Sequence, residues 1–95
     1  MKCKIQIVNG PQDGEKFDVE VFPISIGRNE GNNIQIPDDP LVSRIHCSIY
    51  TDDKSIFISD LKSTNGTYVN KEVLLKPVML NTSDKIYLGN TILVF

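Results

Sequence analysis

Arg28, Ser43, Arg44, Thr64 and Asn65 are the residues whose types and spacing suit a chemistry, and that chemistry is anion recognition. A guanidinium offers two parallel N–H donors to a phosphate and stays charged at any physiological pH. Hydroxyls add neutral donors, and an asparagine amide can pair with a peptide main chain. These residues lie in three polar segments, Gly27-Arg28, Ser43-Arg44-Ile45-His46 and Ser63-Thr64-Asn65-Gly66-Thr67, each set between stretches of alternating apolar residues. A net charge of −2 argues against general nucleic-acid binding, which needs a basic footprint. It leaves room for a single phosphate site, because two or three donors in one place suffice whatever the overall balance.

Other chemistries fit the sequence poorly. Ser43, His46 and Asp60 are the residue types of a hydrolase triad, but there is no Gly-x-Ser-x-Gly elbow to expose the serine. The run Gly27-Arg28-Asn29-Glu30-Gly31-Asn32-Asn33 lacks the Gly-Lys-Ser/Thr ending of a P-loop and does not match Gly-x-Gly-x-x-Gly. Cys3 and Cys47 are in phase with Ile5 and Ile7 and with Ile45 and Ile49, which reads as two reduced, inward-facing thiols. With one histidine they fall short of a structural zinc site. The expectation is a protein that is not an enzyme and holds no metal or cofactor.

Taken in order, and completed by Tyr68-Val69-Asn70, the three segments resemble the motif set of the forkhead-associated (FHA) domain, a β-sandwich that binds phosphothreonine peptides. The resemblance runs from Ile5 to Phe95. It implies that Arg28 reaches the phosphate from a first loop, that Ser43 and Thr64 contact it, and that Arg44 joins them. It also implies that Asn65 bonds the peptide main chain beside the phosphothreonine. Gly27, His46, Gly66 and Asn70 are implied to organise the loops, with His46 as a hydrogen-bonding buttress rather than a catalyst. Selectivity for the third residue after the phosphothreonine is implied near Leu41 and Asn90. With Asp38 and Asp39 close by in sequence, an acidic residue there should gain nothing, and an aliphatic one should pack on Leu41 unless Leu41 turns into the sandwich. The implied partner is a phosphothreonine protein, a Ser/Thr kinase or its substrate. The competing expectation is a constitutive interaction domain of the same fold, docking on an unphosphorylated partner.

The elements that must position these residues read at period two almost throughout. Strands are predicted at Lys4 to Val8, Phe17 to Val21, Ile24 to Ile26, Ile34 to Ile36, Ile45 to Tyr50, Ile56 to Asp60, Tyr68-Val69, Val73 to Leu75, Lys85 to Leu88 and Thr91 to Phe95. Asn65-Gly66 reads as a two-residue hairpin turn between Phe57–Asp60 and Tyr68–Asn70. Strands this short, with no window of helical periodicity, point to a β-sandwich or barrel. The resemblance selects an all-β, two-sheet sandwich of about eleven short strands with the binding loops clustered at one end. Its 95 residues, 40% apolar and 23% charged, suit one domain over residues 1–95, burying somewhat over ~60% of its unfolded surface. Strands reaching both ends of the sequence fit equally a complete small protein or one domain of a longer one. No stretch is apolar enough for a membrane helix and none reads as a signal peptide, so the expected location is the cytoplasm, away from any membrane.

Overall fold

Alternation places isoleucines at the buried positions of several strands. In Cys3–Asn9, Ile5 and Ile7 are fully buried while Lys4, Gln6 and Val8 face solvent. In Ile24–Gly27, Ile24 and Ile26 are buried in the same way. β-branched side chains suit a pleated, half-buried surface, and each one buried is worth about 1.5–3 kcal/mol. The computed structural model describes residues 1–95 and contains no helix.

The strands are β1 (Cys3–Asn9), β2 (Lys16–Val19), β3 (Ile24–Gly27), β4 (Ile34–Gln35), β5 (Cys47–Asp52) and β6 (Ser55–Asp60), then β7 (Tyr68–Val69), β8 (Glu72–Val73), β9 (Val78–Met79), β10 (Lys85–Leu88) and β11 (Thr91–Val94). They form a six-stranded sheet in the order β2-β1-β11-β10-β7-β8 and a five-stranded sheet in the order β4-β3-β5-β6-β9. This is the expected β-sandwich. Ile7, Ile86, Leu88 and Leu93 from the first sheet share one core with Ile26, Ile49 and Ile58 from the second. No helix is long and apolar enough to cross a membrane.

Four local expectations need correction. Ile45 is not on a strand. β5 begins at Cys47, and the preceding residues bend so that His46 turns inward and leaves Ile45 55% exposed. The predicted hairpin at Asn65-Gly66 is instead a crossing between sheets, since β6 lies in the five-stranded sheet and β7 in the six-stranded one. The two-residue hairpin turn is Asn70-Lys71, where both residues have positive φ, 48° and 74°, between the paired strands β7 and β8. Finally, β8 ends at Val73 with Leu75 almost fully exposed, and the two-residue β9 follows Pro77. Both cysteines are free, but only Cys47 is fully buried; Cys3 is half-buried against the core.

Candidate functional site

The end of β3, the start of β5, the end of β6 and the start of β7 meet at one end of the sandwich. The Arg28 amide donates to the Ser43 carbonyl at 3.0 Å and the Asn29 amide to the Arg44 carbonyl at 3.2 Å, so the first two polar segments run side by side. The Asn32 Nδ2 clips this pair by donating to both the Asn29 and Arg44 carbonyls at 2.8 Å. Gly27 is required by space. A Cβ there would lie 2.3 Å from the Arg44 carbonyl oxygen, far inside contact distance.

Arg28 is aimed by its own side chain. Nε donates to the Val42 carbonyl at 3.0 Å, which leaves both Nη groups for another acceptor. Ser43 is fixed as well: its Oγ accepts the Thr64 amide at 2.9 Å, so its own proton can be donated elsewhere. Thr64 and Asn65 are exposed on the third segment, and the Asn65 Nδ2 donates to the Leu41 carbonyl at 3.0 Å. Arg44 is exposed beside them. The structure therefore brings Arg28, Ser43, Arg44, Thr64 and Asn65 to one surface from three separate segments.

His46 lies beneath them, fully buried. Its Nδ1 accepts the Ser43 amide at 2.9 Å, so the ring proton sits on Nε2 and is donated to the Gly66 carbonyl at 2.9 Å. Gly66, at φ 83°, occupies the left-handed region that presents this carbonyl to the ring. A hydrolase triad is not assembled: Ser43 Oγ is paired with Thr64, His46 with two backbone groups, and Asp60 with Ser63 and Thr67. Alanine at His46 leaves a half-buried amide and a half-buried carbonyl without their partner, at up to about 1–3 kcal/mol each. We expect thermal melting of His46→Ala to shift downward together with any ligand affinity, whereas lost affinity at an unchanged melting temperature would make His46 a direct contact.

Two carboxylates hold the loops in a role that the sequence did not reveal. Asp60, at the end of β6, accepts the Ser63 hydroxyl, the Ser63 amide at 3.1 Å and the Thr67 hydroxyl at 2.7 Å. Burial pushes its carboxyl up, but the hydrogen bonds from Ser63 and Thr67 outweigh it and hold the group below its ordinary value of 3.8. A depressed folded-state value means that Asp60 adds stability fully above the ordinary carboxylate range and loses it as pH falls through the folded value. The melting temperature of Asp60→Asn should thus lie below that of the parent at neutral pH, and the gap should close in strong acid. A constant gap would contradict this linkage. Opposite Asp60, burial pushes the Cys47 thiol up to about 12, helped by the Asp60 charge and opposed by a Thr67 hydrogen bond, which makes it a poor nucleophile.

Asp39 is the second. Although an aspartate, it is fully buried, and it accepts the Leu41 amide at 3.1 Å, the Asn90 amide at 2.8 Å and the Thr91 hydroxyl at 2.7 Å. It is therefore not a surface charge facing a ligand, as its sequence position suggested; only Asp38 is exposed, bonded to Gln12. The clamp places Asn90 beside the Leu41 segment and leaves the Leu41 side chain 46% exposed, not turned into the sandwich. Asn70 lies apart from this group. Its side chain joins the Asn70-Lys71 turn to Asp84 and the Lys85 amide, at the opposite end of β10 from Gly89.

A depression of about 490 Å³ opens between the edges of β2 and β4, and none of Arg28, Ser43, Arg44, Thr64 and Asn65 lines it. The family model for the FHA domain matches residues 24–89. The chain is 34% identical over 89 residues to the glycogen accumulation regulator GarA of Mycobacterium tuberculosis, covering 94% of this chain and 54% of that protein. It is 35% identical over 89 residues to the oxoglutarate dehydrogenase inhibitor of Corynebacterium diphtheriae, covering 94% of this chain and 61% of that one. The chain thus spans somewhat over half the length of these curated relatives. Among solved structures, Mycobacterium tuberculosis EmbR in complex with a low affinity phosphopeptide superposes with a TM-score of 0.84 at 28% identity, covering 97% of this chain and 24% of that one.

Proposed function

Because this chain belongs to the FHA domain family, we propose that residues 1–95 act as one non-catalytic module that binds phosphothreonine in partner proteins. The observation that carries this reading is the fixed pair Arg28 and Ser43. Arg28 is anchored through Nε with its Nη donors free, and Ser43 is held by the Thr64 amide with its proton available. A phosphothreonine carries about −1.5 to −2 charge at pH 7. Arg28 takes two phosphate oxygens, Ser43 a third, Arg44 adds charge, and Thr64 contacts the phosphate from the facing loop. Asn65, with its carbonyl and one N–H uncommitted, suits the peptide main chain. Charge-assisted hydrogen bonds of ~1.5–3 kcal/mol each, set against desolvation and peptide ordering, lead to an affinity of order micromolar. That suits reversible signalling in the cytoplasm, with a Ser/Thr kinase or its substrate as the partner. Similarity to a regulator and to an enzyme inhibitor supports a regulatory role.

The test is calorimetric titration with one peptide sequence in phosphothreonine, phosphoserine and unphosphorylated forms. Phosphothreonine should bind tightest, with ~10 to 200-fold over phosphoserine if its methyl group enters a fitted pocket between the loops. Equal affinity for phosphothreonine and phosphoserine would remove that pocket. Equal affinity for the unphosphorylated peptide would favour constitutive docking on an unphosphorylated partner.

A further inference from the structure

The outer face of the six-stranded sheet carries a row that neither the core nor the loops use. Strand register aligns Val73 with Tyr68, Tyr68 with Tyr87, and Tyr87 with Ile92 across β8, β7, β10 and β11. All four alternate with inward-facing neighbours such as Val69, Ile86 and Leu93, so they share the solvent side. Tyr68 and Val73 are 39% and 45% exposed. Three inter-strand steps of about 4.8 Å make the row about 14 Å long.

Charge and position together indicate what covers it. The next positions outward include Lys85 opposite Val94, Lys16 opposite Gln6, and Lys4 opposite Asp18. This face therefore presents three lysines and one aspartate on a chain whose net charge is −2. The row also reaches the loop cluster: a Cβ on Gly66 would lie 3.4 Å from Tyr68 Cε1 and 3.7 Å from Val73 Cγ2, and the Gly66 carbonyl is the one that His46 holds. The other sheet differs. Near the loops its outer face is a polar row of Ser25, Ser48 and Ser59, and its stacked pair Tyr50 and Phe57 lies farther along the strands.

The geometry points to a second docking surface, on which Tyr68, Tyr87, Ile92 and Val73, rimmed by Lys85 and Lys16, receive an acidic and apolar surface of the same protein that presents the phosphothreonine. Tyrosine-rich apolar centres with a charged rim are the anatomy of interaction surfaces. Stable interfaces bury ~800 Å² per partner, more than a single phosphothreonine and its nearest neighbours cover. Of this inference, only the shared partner rests on the phosphothreonine reading.

The test uses one phosphothreonine peptide extended, before and after the core in turn, by Glu-Phe-Glu-Leu-Glu, by Lys-Phe-Lys-Leu-Lys, or by Gly-Ser repeats. One acidic extension should tighten binding about tenfold over Gly-Ser by making the second contact intramolecular. Lys85→Glu and Tyr87→Ser should each remove that gain while leaving the Gly-Ser peptide's affinity unchanged. No gain from either acidic extension, an equal gain from the basic one, or a gain that survives both variants overturns the proposal. If no phosphothreonine peptide binds, it is the phosphate reading that fails. The acidic segment alone, at high concentration, then tests the face: shifts in the amide resonances of Tyr87 and Ile92 support it, and unmoved resonances overturn it.

Discussion

Arg28→Ala is expected to weaken binding of a phosphothreonine peptide by about 2–5 kcal/mol while the sandwich stays folded. The size follows from leaving a desolvated phosphate without its charge partner, not from the number of bonds removed. The fold is affected less, because the structural loss is one hydrogen bond to the Val42 carbonyl, of about 0.5–1.5 kcal/mol. Arg28→Lys should fall between the two, since an ammonium keeps the charge but has neither the planar fork nor an Nε to hold the side chain on Val42. Calorimetry on the three proteins checks this. A loss smaller than about threefold for Arg28→Ala, where the expected coupling is several kcal/mol, would falsify the assignment of Arg28 as the phosphate anchor.

Gly27→Ala is expected to damage the site without touching the ligand. The added carbon would lie 2.3 Å from the Arg44 carbonyl oxygen and 2.9 Å from its carbonyl carbon, and both are backbone atoms with no rotamer to retreat into. Relief requires β3 and the Ser43–Arg44 segment to part. That opens the Arg28–Ser43 and Asn29–Arg44 backbone bonds and the Asn32 clip together. Overpacking costs about 1–3 kcal/mol, and each bond lost adds about 0.5–1.5 kcal/mol. Urea unfolding should show a lower midpoint, and peptide affinity should fall in the same protein because Arg28 and Ser43 no longer face one acceptor. A variant with the parent's midpoint and affinity would show that the segment yields freely.

The strands were legible because Ile5 and Ile7 flank Gln6, Ile24 and Ile26 flank Ser25, and Ile86 follows Lys85, and alternation is a local signal. The polar segments were legible as motifs. Their convergence was not, since hydrogen bonds such as Thr64 to Ser43 join residues 21 positions apart and leave no periodic trace. Ile45 was misread because its spacing from Cys47 and Ile49 fits a strand, while His46 overrides it by taking the buried position needed to reach both Ser43 and Gly66. Asn65-Gly66 carries a hairpin signature, yet the chain there must change sheets, and that is decided by tertiary packing. Asp39 looked like surface charge because buried carboxylates are rare; its partners at Asn90 and Thr91 are 51 and 52 residues away.

The long reach of Asp39 bears on when the protein becomes competent. Contacts that close large loops form late, because the chain must lose the entropy of closure before they stabilise anything. Leu41, whose carbonyl receives the Asn65 amide, is held by a carboxylate that has only this local partner until β10 and β11 have paired and brought in Asn90 and Thr91. During synthesis Asn90 and Thr91 emerge after every motif residue. A nascent chain halted before residue 90 therefore carries every motif residue from Gly27 to Asn70 yet lacks the clamp that holds Leu41 and, through it, Asn65, so the proposed recognition waits for the β10–β11 hairpin.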